Sequence, residues 1–183
     1  MASLLALLSS LLWGSADYHA GNMSKRLPSI VVLGINQAFG LFFGLILILG
    51  TSGWISPSLN HDGYLINGAL AGLAGYAGLL CLYAGLSTGR MGVVSPISSL
   101  SVLLPLFFAL VIKGDRLSTT VTIGVIAAVL GGFLASGPEV TQGLPLKPVL
   151  LAIGAALGFG TALTFMAIGS QESSLMTMVT MRT

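Results

Sequence analysis

Apolar residues in this chain run in long, nearly unbroken blocks, not in the spaced stripes of a water-facing helix or the alternation of a half-buried strand. Five blocks, 2–23, 30–50, 64–87, 91–112 and 119–136, reach or approach the ~20 residues a helix needs to cross a bilayer. A sixth covers 148–170. Polar, helix-breaking runs separate them: Ser24-Lys25-Arg26-Leu27-Pro28, then 51–63 with Pro57, Asn60 and Asp62, then Thr88-Gly89-Arg90, 113–118 and 137–147. Hydrocarbon offers no partner for a backbone N–H or C=O, so each block must satisfy its own and be helical. The alternation of an outer-membrane barrel is absent from the sequence. The pattern predicts an all-α integral membrane protein, a multi-helix transmembrane bundle.

Composition agrees. Of 183 residues, 55% are hydrophobic and 7% charged, and the mean hydropathy is +0.99; a soluble domain carries roughly a quarter charged residues. The 25 glycines suit membrane helices, whose backbones approach closely at small residues. The basic residues are scattered between apolar blocks, so no nucleic-acid partner is expected. Membrane lipid is the expected surrounding, and the cell (inner or plasma) membrane the expected location. Cys81 is single, lies in an apolar block and reads as a small core residue. The first block lacks a basic leader and ends in Asp17, His19 and Asn22, so it reads as an interior-facing helix and not a cleaved signal. Loop charges divide four to three: Lys25, Arg26, Arg90 and Lys147 on one side, Lys113, Arg116 and Arg182 on the other.

The chain also repeats itself. Shifting the first block by 146 positions lays Leu4-Leu5-Ala6 on Leu150-Leu151-Ala152, Leu11 on Leu157, and Trp13-Gly14-Ser15-Ala16 on Phe159-Gly160-Thr161-Ala162. A repeat unit of five helices follows, and an odd number of crossings inserts consecutive copies in opposite orientations, the inverted symmetry of many secondary transporters. On this reading residues 1–137 form the first repeat, 138–147 a linker, and 148–183 the opening of a second repeat that breaks off.

Val94-Ser95-Pro96-Ile97-Ser98-Ser99-Leu100-Ser101, running on to Lys113-Gly114-Asp115-Arg116-Leu117-Ser118, resembles the fourth helix and following turn of the EamA domain. Residues 124–132 are similar to its fifth helix and Trp13-Gly14 to its first. The order and spacing identify the chain as resembling an EamA-domain permease of the drug/metabolite transporter superfamily. The resemblance implies a five-helix repeat followed by a second, inverted one, and transport of amino acids, nucleosides, drugs or other metabolites. It also implies a cytoplasmic amino terminus, which puts Lys25 and Arg26 outside, against the charge tally. The chain departs from the family where many members carry an acidic or aromatic residue before proline in the fourth helix. Here Ser101-Val102 stand at that point and proline comes at Pro105, so no role for that acidic residue carries over.

Asp17 is the one acidic side chain deep in an apolar block, and such a residue is costly unless it faces a cavity or a partner. Ser10, Trp13, Gly14, Asp17, Gly21 and Ser24 share its helical face. The expectation is that Asp17 meets a cationic solute group or exchanges a proton; the plainer reading is a structural acid paired with a neighbour. In the third block Gly68, Gly72, Gly75, Tyr76, Leu79 and Tyr83 share a face, and Tyr76 and Tyr83 either line the pathway or bond between helices. Ser95, Ser98, Ser99 and Ser101 surround Pro96, and a broken, serine-rich helix suits a midplane binding site. Asn36 and Gln37 serve the pathway or bond across helices. Gly124, Ala128, Gly131 and Ala135 read as packing.

The sequence carries no Cys/His cluster, no phosphate-binding loop with its lysine and no nucleophile triad, so neither enzyme, cofactor nor metal is expected. Without an ATP site of its own, the chain is expected to move a small-molecule substrate by alternating access, driven by a gradient. The competing expectations are a non-transporting membrane subunit or scaffold, and a short form that works as a homodimer.

Overall fold

The computed structural model describes residues 2–57, 59–88, 91–140 and 145–183. Arg90 of the charge tally, residues 141–144 of the linker and the side chain of Ala135 lie outside the described residues. The described chain is mainly helical, and no strand occurs among the described residues. In order come α1 (Ala2–Met23), α2 (Ser29–Thr51), α3 (Tyr64–Leu86) and α4 (Met91–Ser99). A 3₁₀ turn (Leu100–Val102), α5 (Leu103–Phe107) and a π turn (Phe108–Ile112) continue the fourth span, before α6 (Thr119–Val140) and α7 (Leu146–Thr180).

Among the described residues, four segments are long and apolar enough to cross a membrane: Ser29–Thr51, Tyr64–Leu86, Met91–Ile112 and Leu146–Thr180, with Thr119–Gly132 a shorter apolar helix. The 22-residue α1 falls short of that hydropathy because Ser15, Asp17, His19 and Asn22 dilute its last two turns. Outward faces are strongly apolar: Phe39, Phe42, Phe43 and Leu49 on α2, and Ile123, Ile126, Leu130 and Leu134 on α6, are all exposed. Water does not tolerate so large an apolar surface; lipid tails do.

The fourth span is one block in sequence and four pieces in space. Pro105 has no N–H to give the Ser101 carbonyl one turn earlier, and the 3₁₀ turn lies at that point. The break therefore falls after Pro96, which stays inside α4. The phrase Gly114 to Ser118 is a stop and a start. Gly114 takes φ 71°, where a Cβ would be strained, and the Ser118 hydroxyl accepts from the Val121 N–H at 3.3 Å, capping α6.

The sixth block runs further than its hydropathy suggests. Inside α7, Ser173 is extended (φ −159°, ψ 114°). Its hydroxyl accepts from the Met176 N–H at 3.2 Å, an N-cap for a new helical piece. That piece packs back along the bundle: Thr177 meets Gly68 and Gly169, Val179 meets Gly44, and Arg182 meets Gly40.

α3 and α7 make the central packed pair, with α4 and the 3₁₀ turn against α7 and α6 against α4. Two apolar clusters close the ends. One gathers Ala20, Leu33, Leu82, Tyr83, Leu86, Val94, Ala152 and Ala155; the other gathers Ile48, Tyr64, Met176 and Val179. On α6, Gly124 and Gly131 face open space, so the packing expected there is not found.

Candidate functional site

Between the two clusters lies a cavity of about 1140 Å³, slightly above the usual size range of ligand pockets. Trp13 on α1, Gly75 on α3, Ser101 in the fourth span and Phe159 on α7 all line it. Each stands close to the centre of its own span, while Leu5, Leu86 and Met91 carry the lining on toward the span ends.

The polar groups arrive from four directions. α1 contributes Ser9, Ser10, Trp13 and Asp17; α2 contributes Asn36 and Gln37; the fourth span contributes Ser95, Ser98, Ser99 and Ser101. Arg182 enters from the end of the chain. α1 is held mainly by its last turns, where Gly21 admits Leu86 and Met91. Leu4, Leu5, Leu8, Leu11 and Leu12 stay exposed, so the first half of α1 forms one wall of the cavity without being packed into the core. Trp13, one turn before Asp17, brings its indole N–H into interaction with the carboxylate.

The serines are partly occupied within their own helix. Ser98 donates to the Ser95 carbonyl at 2.8 Å and Ser99 to the Pro96 carbonyl at 2.7 Å. Their hydroxyl oxygens keep accepting capacity for a solute. Across the cavity Gln37, 6% exposed, accepts from the Arg182 guanidinium at 2.7 Å.

Of the residues singled out in the sequence, Trp13, Asp17, Ser95, Ser98, Ser99 and Ser101 are brought together in this lining. Tyr76 and Tyr83 stand behind it. Tyr83 is 1% exposed and its hydroxyl accepts from Asn36 Nδ2 at 3.1 Å; the Tyr76 hydroxyl donates to the Arg182 carbonyl at 3.3 Å. Both act on residues that touch the space. Asn36 and Gln37 do both things expected of them, lining the cavity and bonding across helices. Arg182 is the residue that sequence reading missed. In the sequence it reads as a loop charge, because no apolar block surrounds it. The one available signal was the Ser173-Ser174 pair, a helix start that carries residues 174–182 back into the bundle.

Apolar helices with lipid-compatible outer faces, around a largely apolar cavity that holds a few polar side chains, define a multi-pass membrane protein. The EamA-like transporter family matches residues 1–137 of the 183, and the chain belongs to that family. Its general role is therefore that of a transporter. No curated protein and no solved structure matches the chain.

Proposed function

We propose that the chain is a secondary transporter of small metabolites or drugs in the cell membrane, working by alternating access around the cavity. Residues 1–137 act as one repeat, 138–147 as the linker, and 148–183 as the opening of a second repeat in inverted orientation. The cavity itself carries this reading: an acid, a guanidinium, an amide pair and six serines gathered around one space in an otherwise apolar bundle have a use if a solute displaces water there.

The repeat geometry gives support. Shifted by 146 positions, Trp13, Ala16 and Asp17 correspond to Phe159, Ala162 and Leu163, and all six line the same cavity. The same shift carries Leu27, in the turn between α1 and α2, onto Ser173, where α7 breaks. It carries Asn36 onto Arg182, and both line the cavity. Two copies that present equivalent faces to one space are what rocking between outward-open and inward-open states requires.

In this mechanism Asp17 and the serines bind solute, Trp13 covers it, and Tyr76 and Tyr83 hold the lining residues in place. The test is transport in reconstituted vesicles under imposed proton or solute gradients, with a metabolite mixture scored by mass spectrometry. Asp17→Asn is expected to lose most of the gradient-driven flux while folding normally; an unchanged flux would remove Asp17 from the mechanism.

A further inference from the structure

We propose that the cavity takes a solute carrying a cationic and an anionic group at once, the cation set against Asp17 and the anion against Arg182. This rests on the transporter reading above and specifies its substrate class.

The observations are three. Asp17 and Arg182 are the only charged side chains among the described residues that line the cavity, and they reach it from different places, the last third of α1 and the turn that follows α7. Neither sits in an ion pair among the described residues, where the one such contact joins His61 to Asp62 in the exposed loop. Arg182 is oriented by Gln37, a neutral acceptor, so its position is fixed while its charge is not neutralised.

A charge held away from water is tolerable when an opposite charge stands beside it. A singly charged solute completes one of the two residues and leaves the other alone; a neutral solute completes neither. A zwitterion completes both without altering the net charge of the cavity, so it is the solute class that these walls favour. The guanidinium suits a carboxylate or phosphate, which it binds through paired N–H donors. The Trp13 ring beside Asp17 suits a cationic group, which is attracted to an aromatic face.

The experiment uses the full-length protein, in detergent for binding and in vesicles for flux. Probes are the ω-amino acids from glycine to 6-aminohexanoate, whose charges stand progressively further apart, against pentylamine, pentanoate and pentanol. At least one zwitterion is expected to raise the unfolding temperature more than either singly charged probe. Its affinity is expected to fall by roughly thirtyfold or more in Asp17→Asn and in Arg182→Gln, the lower range for removing one partner of a desolvated charge contact. The preference should also switch: Asp17→Asn turns toward pentanoate and Arg182→Gln toward pentylamine. A merely structural role for either residue would lower stability without reversing charge preference.

The proposal is overturned if singly charged probes protect as well as every zwitterion, if the single variants keep wild-type affinity, or if no zwitterion of the series binds. In those cases, flux of pentylamine, pentanoate or a component of a metabolite mixture leaves the transporter reading standing. Only if the vesicles move no solute at all does that reading fall with it.

Discussion

Gly158 meets Gly78 backbone to backbone: a Cβ built on Gly158 would stand 2.6 Å from the Gly78 Cα and 2.8 Å from the Ala74 carbonyl oxygen. This contact is where α7 crosses α3, the closest pair in the bundle, and it sets the depth at which the neighbouring Phe159 enters the cavity. Since the obstructing atoms are main chain, they cannot rotate away. Gly158→Ala is expected to lower stability by about 1–3 kcal/mol, the usual cost of overpacking, seen as a drop in unfolding temperature in detergent. Gly14→Ala, at a position with nothing within 4 Å, should leave it unchanged. Equal effects at the two sites would argue against a tight crossing.

A carboxylate closes the start of α3. The Tyr64 N–H donates to Glu172 Oε2 at 2.7 Å, supplying an acceptor where the first turn of a helix has unpaired donors and a partial positive charge. Glu172→Ala should cost about 1 kcal/mol, and Glu172→Gln less, because the amide oxygen still accepts. Thermal unfolding of the two variants side by side checks the order; Gln as damaging as Ala would mean the negative charge matters more than the hydrogen bond.

Much of this architecture is legible in the sequence, and the reason is physical. A bilayer demands continuous apolar length, so span positions follow from hydropathy alone, and the polar exceptions, Asp17 and the run from Ser95 to Ser101, point inward because lipid excludes them. What hydropathy does not show is chain reversal. Residues 171–183 carry too few apolar positions to read as a span, yet the N-cap at Ser173 turns them back into the bundle and delivers Arg182 to the cavity. The break in the fourth span was expected around Pro96 and lies instead ahead of Pro105, because a proline disturbs the turn that precedes it. Whether Tyr76 and Tyr83 face the cavity or stand behind it depends on the rotation of α3, fixed by which glycines meet α7 and not by the residues themselves.

Tyr83 and Asn36 join α3 to α2 behind the cavity wall through one hydrogen bond of 3.1 Å. A double-mutant cycle with Tyr83→Phe and Asn36→Leu is expected to give a coupling of about 0.6 kcal/mol, the average for polar pairs between membrane helices. Tyr83→Phe should keep solute binding within about twofold, since the ring remains and Asn36 can turn its amide to the cavity. A coupling near zero would mean that the pair is incidental to the position of α2.

Pro105 offers a way to test whether the interrupted fourth span matters for movement as well as for shape. Its missing N–H leaves the Ser101 carbonyl without its helical donor, and α7 comes close at that level: a Cβ on Gly160 would stand 2.8 Å from the Ser101 carbonyl oxygen and 2.6 Å from Leu104 Cβ. Pro105→Ala restores the donor and favours a continuous helix from Met91 onward. Because neighbouring helices already compensate broken backbone bonds in membrane bundles, stability should change by no more than about 1 kcal/mol. A straightened helix would, however, rotate Ser98, Ser99 and Ser101 relative to one another, and flux in vesicles should fall about tenfold, equivalent to roughly 1.4 kcal/mol in the occupied transport state. Melting temperature and flux measured on the same preparation separate the two quantities. Loss of flux with an unchanged melting temperature ties the break to transport, whereas retained flux would make it a packing feature of the fourth span.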